Sequence, residues 1–106
     1  MLRSRPTAAR RQIRSAELDA LNGQAEMLLA SGRLAEARTA FRRAAAAGDP
    51  RGARGVARTY DEEIIARSTA TGTAPDREKS KLWYSIANTL ESRRATAPSL
   101  LPEDLR

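Results

Sequence analysis

Two stretches of the chain repeat one pattern of a small, an aromatic and a small residue. The first copy is Ala37, Phe41 and Ala44, and the second copy, at a constant offset of 43, is Ser80, Tyr84 and Ala87. Intervals of four and three residues place all three side chains on one face of an α-helix. The small residues let a neighbouring helix approach closely, and the ring fills the gap that remains. The repeat therefore predicts helices that stack on one another.

A second pair of segments repeats at a different offset. Leu21, Ala25 and Leu28 match Ala53, Ala57 and Tyr60, at a constant offset of 32. The two offsets differ by 11, which is the length of the segment EEIIARSTATG between the later helices. The chain is thus interpreted as two helical hairpins of one design, the second with an insertion.

The composition agrees with helices. A chain of 106 residues allows one domain, and its apolar residues are mostly Ala and Leu, with little Val or Ile. Ala and Leu are strong helix formers, whereas β-branched residues favour strands. We expect an all-α fold of antiparallel helical hairpins, about four helices in all, stacked as a short right-handed solenoid.

Glycine and aspartate mark the predicted helix ends. Gly32 and Gly48 suit the left-handed position after a helix, and Asp49 and Asp76 suit the N-cap position before one. The helical spacing predicts helices from Ser15 to Ser31, from Leu34 to Ala47, from Pro50 to about Tyr60, and from Asp76 to about Arg94. Two boundaries stay open: the arm from Met1 to about Thr7 either runs into the first helix or does not, and the third helix either continues through DEEIIARS or ends before it. The predicted domain organisation is a basic, flexible arm over 1–14, a two-hairpin domain over 15–94 and an irregular tail over 95–106.

Several kinds of chemistry are excluded or disfavoured. The chain has no Cys and no His, which removes disulfides, the usual zinc sites and catalysis by thiolate or imidazole. It contains no phosphate-binding loop, dinucleotide-binding motif or nucleophile elbow. The acidic run from Asp61 to Glu63 is interpreted as helix surface, because neighbours on one helix cannot converge on a metal. We expect no enzyme activity, no cofactor and no metal site.

The net charge of +6 is unevenly distributed. Residues 1–16 and residues 33–58 are basic, whereas residues 17–32 are acidic. Basic blocks attract phosphates, acidic peptides and anionic head groups. The arginines of the arm are candidates for phosphate or nucleic-acid contact: Arg3, Arg5, Arg10, Arg11 and Arg14. No aromatic residue is interleaved with them for base stacking, so a solvated arm stays open as the alternative.

The sequence also bears on location. No apolar run is long enough to span a bilayer, and no apolar stretch follows the basic N-terminus. Residues 1–16 contain Arg and Ser but no acidic residue, which is typical of a mitochondrial transit peptide. The composition of the whole chain favours a different explanation, since 17 Arg and only 2 Lys are what a GC-rich bacterial genome would produce. We expect a cytoplasmic bacterial protein, free or peripheral to a membrane-bound complex.

Two segments carry a resemblance to a known family. SGRLAEARTAFRRAAAAGDP resembles the second half of a tetratricopeptide repeat, and GDPRGARGVARTYD followed by GTAPDREKSKLWYSIA is similar to the Sel1-like subfamily. The resemblance covers about residues 18–92. Ser80 stands where that subfamily usually has Ala, Gln24 stands where Leu is commoner, and Gly55 departs from its pattern. Only two units are present where such families usually have more.

The resemblance implies a groove lined by the first helix of each hairpin. Arg51, Arg54 and Arg58 follow one face of the third helix, so the resemblance places them in that groove. Arginine forms bidentate bonds to carboxylate and phosphate, which would suit an acidic peptide or a phosphate. The alternative is intramolecular, since Asp19 and Glu26 on the first helix stand at matching positions for neutralising them.

Two adjacent aromatic residues need different surroundings. Tyr84 is equivalent to Phe41, so we expect it to pack between the last two helices. Trp83 lies about 100° further round the helix and would pack toward a following hairpin in a longer array. Because no third hairpin follows, Trp83 needs cover from the tail, through Leu100 and Leu101, or from a partner.

These observations predict a non-enzymatic protein–protein interaction module, a scaffold or adaptor that binds a peptide or a partner surface. Two hairpins leave apolar faces open, so homo-oligomerisation or residence in a larger complex is expected. The alternative is a small basic nucleic-acid-associated protein that uses the arm and the three arginines of the third helix.

Overall fold

The computed structural model describes the backbone of residues 8–68 and 73–96 and the side chains of residues 14–68 and 73–95. This part of the chain contains five α-helices and no strand, which confirms the all-α prediction. The helices are α1 (Ala8–Ala30), α2 (Leu34–Ala46), α3 (Pro50–Tyr60), α4 (Glu62–Arg67) and α5 (Arg77–Thr96). None of the described helices has both the length and the hydropathy needed to cross a bilayer.

The first two turns are built in the same way. Gly32 and Gly48 have φ angles of 80° and 89°, the left-handed region that glycine adopts without a steric penalty. After each glycine, the next backbone N–H reaches back to a carbonyl five residues earlier: Arg33 to Leu28 at 2.9 Å, and Asp49 to Ala44 at 3.1 Å. This is the Schellman motif, which ends a helix and reverses the chain within a few residues.

Contacts between side chains give the directions of the first three helices. Asp19 pairs with Arg51 and Glu26 pairs with Arg58, so α1 and α3 lie side by side and run the same way. In α2, Arg38 bonds Thr59 near the end of α3, whereas Ala45 lies against Gly52 near its start, so α2 runs the opposite way. Within the first three helices, each helix is therefore antiparallel to the one before it.

Helix α3 lies at the centre of the fold, in contact with each of the other four helices. Its side of contact with α2 carries two glycines. A Cβ atom on Gly55 would overlap the ring of Phe41, and one on Gly52 would overlap the backbone of α2 at Ala45. Phe41 is 1% exposed, so the ring fills the space that these glycines leave. The glycines thus permit the close approach that the small–aromatic–small pattern indicates.

The structure decides two helix boundaries that the sequence leaves open. α1 begins at Ala8, directly after the arm that is predicted to end near Thr7, so the second half of the range 1–14 is helical. The third helix does not continue through DEEIIARS, because Asp61 adopts an extended conformation after Tyr60. The Asp61 carboxylate accepts a hydrogen bond from the Glu63 backbone N–H at 2.9 Å and so caps the separate helix α4. This break accounts for the additional helix.

The aromatic residues of the second hairpin share the packing differently from the prediction. Tyr60 is buried, with the guanidinium of Arg38 3.8 Å from its ring centre. Tyr84 is half-buried, and its hydroxyl donates to Asp61 at 3.3 Å. Burial, with the nearby Asp61 carboxylate, raises the pKa of Tyr84. Tyr84 therefore only partly fills the position that its equivalence to Phe41 predicts.

The start of α5 agrees with the prediction. The Asp76 carboxylate accepts a hydrogen bond from the Lys79 backbone N–H at 3.0 Å, which makes Asp76 the N-cap. Ser80 is buried, and its hydroxyl donates to the Ala57 carbonyl at 3.0 Å. The side chain is small and its hydrogen bond is satisfied, so a serine at this position is compatible with close packing of α5 on α3.

Gly55→Ala and Gly23→Ala should change stability in opposite directions. Gly55→Ala forces a methyl group into the Phe41 ring and should lower the free energy of unfolding by about 1–3 kcal/mol. A Cβ on Gly23 meets no atom within 4 Å, so Gly23→Ala should raise that free energy by about 0.5–1 kcal/mol. Urea unfolding followed by circular dichroism measures both.

The Gly55→Ala, Phe41→Leu double variant is the control for the overlap. Because leucine lacks the ring, the loss caused by Gly55→Ala should be smaller when Phe41→Leu is already present. If Gly55→Ala lowers the free energy of unfolding equally with and without Phe41→Leu, Gly55 is not in tight contact with the Phe41 ring.

Candidate partner-binding surfaces

A shallow groove runs between α1 and α3. We call it the α1–α3 groove, and its lining residues are Asp19, Asn22, Gly23, Glu26, Arg51, Arg54 and Arg58. The two helices meet across it through ion pairs that each span 32 residues, the offset of the sequence repeat. Equivalent positions of the two hairpins thus face each other.

Each arginine of the stripe on α3 is held by a carboxylate. Arg51 Nη1 lies 2.7 Å from Asp19, and Arg58 donates to both oxygens of Glu26, at 2.7 and 3.0 Å. The Glu26 carboxylate raises the pKa of Arg58. These are the ion pairs that the intramolecular alternative requires. Because these ion pairs are partly exposed, each contributes only about 0–1 kcal/mol to the free energy of unfolding. Their main effect is to orient the arginines.

Arg54 pairs with a different helix from the one that the sequence indicates. Its Nη2 lies 3.1 Å from Glu91 of α5. The arginine stripe therefore joins α3 to two neighbours, α1 on one side and α5 on the other. With carboxylates on both sides, the positive charge of the stripe is largely balanced within the described residues.

A buried carboxylate lies at one end of the groove. Asp49 is 4% exposed and is the N-cap of α3, accepting from the Arg51 backbone N–H at 2.9 Å. It also accepts from the Arg51 guanidinium at 2.8 Å and from the Asn22 amide at 3.0 Å. The Arg94 guanidinium of α5 lies 3.7 Å away. One carboxylate thus connects α1, the α2–α3 turn and α5.

Two opposing effects act on the pKa of Asp49. Burial would raise it, but hydrogen bonds and charge attraction from Arg51, with a further bond from Asn22, outweigh burial and lower it. The Asp49 and Asp19 carboxylates in turn raise the pKa of Arg51. Asp49 is therefore charged at neutral pH, and its charged form stabilises the fold more than its neutral form does.

The middle of the groove has two features that contacts within the described chain do not explain. Gly23 lies within α1, yet a Cβ there would meet open space, unlike one on Gly52 or Gly55. The neighbouring Asn22 is 6% exposed, and its Oδ1 has no hydrogen-bond partner among the described residues. Its amide nitrogen already donates to Leu18 and Asp49, which fixes the orientation of the side chain.

Of the five candidate arginines of the arm, the structure describes the side chain of Arg14 alone. Arg3 and Arg5 lie outside the described residues, and so do the side chains of Arg10 and Arg11. Arg14 is exposed and lines a small cleft with Arg51 and Arg94, beside the α2–α3 turn. The structure thus brings one arm arginine close to one arginine of the stripe.

Trp83 lies toward the preceding hairpin and not away from it. The ring is half-buried against α2, and the Arg42 guanidinium carbon is 5.6 Å from its centre. A longer array would have Trp83 packed toward a following hairpin, whereas here its ring lies against the preceding one. Leu100 and Leu101, predicted to cover it, lie outside the described residues.

Sequence reasoning missed the roles of two residues, one in the groove and one in the packing of α2 on α3. Asp49 is recognised as a helix cap from its position before Pro50, but not as a buried carboxylate shared by three parts of the fold. Arg38, an ordinary surface arginine in the sequence, bonds Thr59 at 2.8 and 2.9 Å and stacks on Tyr60. No sequence signal marks either role, because both depend on partners that are distant along the chain.

Comparison with known proteins leaves the family open. No protein-family model matches the chain, and no significant match is found among curated proteins or among solved structures. Within residues 14–68 and 73–95, no group of three acidic side chains is arranged to hold a metal ion.

Asp49→Asn tests the buried carboxylate. Asn is also a good N-cap, so the substitution removes the charge and retains the cap. At neutral pH the free energy of unfolding should fall by about 1–3 kcal/mol, because hydrogen bonds to charged groups contribute about that much. The exposed partner variant Asp19→Asn should cost about 1 kcal/mol or less.

The free energy of unfolding should also depend on pH differently in wild type and in Asp49→Asn. Because the folded-state pKa of Asp49 is below the unfolded value of about 3.9, its contribution is complete above that pH and is lost as the pH falls below it. Wild-type stability should therefore decrease more steeply on acidification than that of Asp49→Asn. Chemical unfolding at a series of pH values measures this, and equal slopes would contradict the assignment.

Proposed function

We propose that this protein is a non-enzymatic interaction module that holds a segment of a partner protein in the α1–α3 groove. The observation that carries the proposal is Gly23. Glycine within a helix costs about 1 kcal/mol relative to alanine, and no contact within the described chain requires it here. A partner backbone lying close to α1 would require it.

The unpaired acceptor beside Gly23 supports the same proposal. A buried oxygen without a hydrogen bond is costly, and such atoms are usually satisfied by a water or a ligand. Asn22 Oδ1 is of this kind, and it belongs to the same stretch of the groove as Gly23. A bound segment, directly or through a water, would supply the missing donor.

The charges in the groove favour a partner of mixed polarity. Arg51, Arg54 and Arg58 are each matched by a carboxylate from α1 or α5. A strongly acidic or phosphorylated ligand would have to displace those carboxylates. A segment with both polar and charged groups can instead bond to the ordered arginines and carboxylates together.

The hairpin arrangement is compatible with the Sel1-like and tetratricopeptide-like resemblance of the sequence. In that interpretation the protein acts as a scaffold or adaptor, and its function is to position a partner. The open faces of two hairpins make residence in a larger assembly part of the proposal.

Gly23→Gln is the sharpest test of this function. The side chain projects into the groove from an open position, so it should block a partner without harming the fold. The matched control is Ala20→Gln, which places the same side chain at an exposed position on α1 beside Gln24 and Arg43. Affinity capture from the cells that make the protein, followed by mass spectrometry, should recover a partner with wild type and Ala20→Gln but not with Gly23→Gln.

Arg54→Glu is a second variant for the same capture, since it reverses one ordered charge of the groove. Equal recovery with Gly23→Gln and Ala20→Gln would refute binding in this groove. Binding to nucleic acid that is lost on deleting residues 1–14, and that falls steeply between about 50 and 200 mM salt, would instead support the nucleic-acid alternative.

A further inference from the structure

A second, apolar surface lies between α2 and α5. We call it the Trp83 groove, and its lining residues are Arg42, Ala45, Ala46, Trp83, Ile86 and Leu90. Leu82, one helical turn before Ile86, is 55% exposed. Apolar surface rimmed by a charged residue is a feature of docking sites, which makes this groove a candidate for one.

The features of the groove follow a fixed order along α5. Leu90 is nearest to the end of the helix at Thr96, and Trp83 is furthest from it. Beside Trp83 lies Arg42, which forms no ion pair with any described residue. A suitable occupant therefore presents apolar side chains first and a carboxylate further on, counting from the end of α5.

We propose that the C-terminal segment 97–106 folds back along α5 and occupies the Trp83 groove. The segment begins where α5 ends, and Pro98 disfavours a helical conformation at the residue before it. It carries Leu100 and Leu101, followed by Glu103 and Asp104. This is the order that the groove requires.

The lengths also match. On α5, Leu90 is about 9 Å and Trp83 about 20 Å before Thr96, at about 1.5 Å per residue. In an extended segment, Leu100 reaches about 13 Å and Glu103 about 23 Å beyond Thr96, at about 3.3 Å per residue. The leucines thus reach the apolar stretch from Leu90 toward Ile86, and the acidic pair reaches Arg42.

Trp83 is the single tryptophan of the chain, so its fluorescence reports on this groove directly. In the full chain, the Leu100→Asp, Leu101→Asp variant should shift the emission to longer wavelength. It should also raise the acrylamide quenching constant about twofold or more, because the half-buried indole loses its cover. Met27→Asp, at a 74% exposed position on α1, is the control and should change neither quantity.

A charge reversal separates docking from a general loosening of the fold. Arg42→Glu should raise the quenching constant, and so should Glu103→Arg with Asp104→Arg. Combining the three substitutions should restore a value near wild type, since the attraction is re-formed with opposite signs. Circular dichroism checks that every variant keeps its helix content.

Three results would overturn the proposal. The first is quenching that the leucine variant leaves unchanged. The second is a combined charge variant whose quenching constant stays as high as that of the single reversals. The third is quenching that depends on protein concentration over about a hundredfold range, together with a dimer by light scattering, because a second copy would then cover the groove.

Discussion

The close approach of α3 to α2 is the constraint on which the rest of the structure depends. Phe41 can be buried only because Gly55 has no side chain, and the backbones can come together at Gly52 for the same reason. This contact places α3 at the centre, where it meets all the other described helices. The groove with α1 and the packing of α5 on α3 are consequences of that position. In so small a chain the core is thin, and close packing of a few small residues takes the place of a larger apolar interior.

Asp49 joins the same elements through hydrogen bonds and charge. A carboxylate with 4% exposure is tolerated because it accepts hydrogen bonds from the Arg51 guanidinium, the Arg51 backbone N–H and the Asn22 amide. The same residue caps a helix, orients an arginine of the α1–α3 groove and lies within reach of Arg94 on α5. Its hydrogen bonds therefore connect the stability of the fold with the orientation of Arg51 in the candidate binding surface.

Much of the fold could be predicted from short-range rules. The turns at Gly32 and Gly48, the caps at Asp49 and Asp76 and the equivalence of the helix faces all depend on residues within a few positions of one another, or on spacing along one helix. The break at Asp61 could not be decided from the sequence, because the following residues also form a helix and local propensity does not distinguish one long helix from two. Of the candidate site, the pairing of Arg51 and Arg58 with α1 follows from the repeat offset. The partner of Arg54 does not, because α5 lies beyond the insertion.

By itself, the sequence determined that the chain is helical, where most of its helices begin and end, and which residues of the two hairpins are equivalent, because these are set by hydrogen bonding and periodicity along the chain. Only the tertiary structure decided which glycine serves packing and which faces open space, that Trp83 lies against α2, and that Asp49 is buried. Each of these depends on the distance and angle between helices that are far apart in sequence. Those quantities emerge only when side-chain volumes are fitted together.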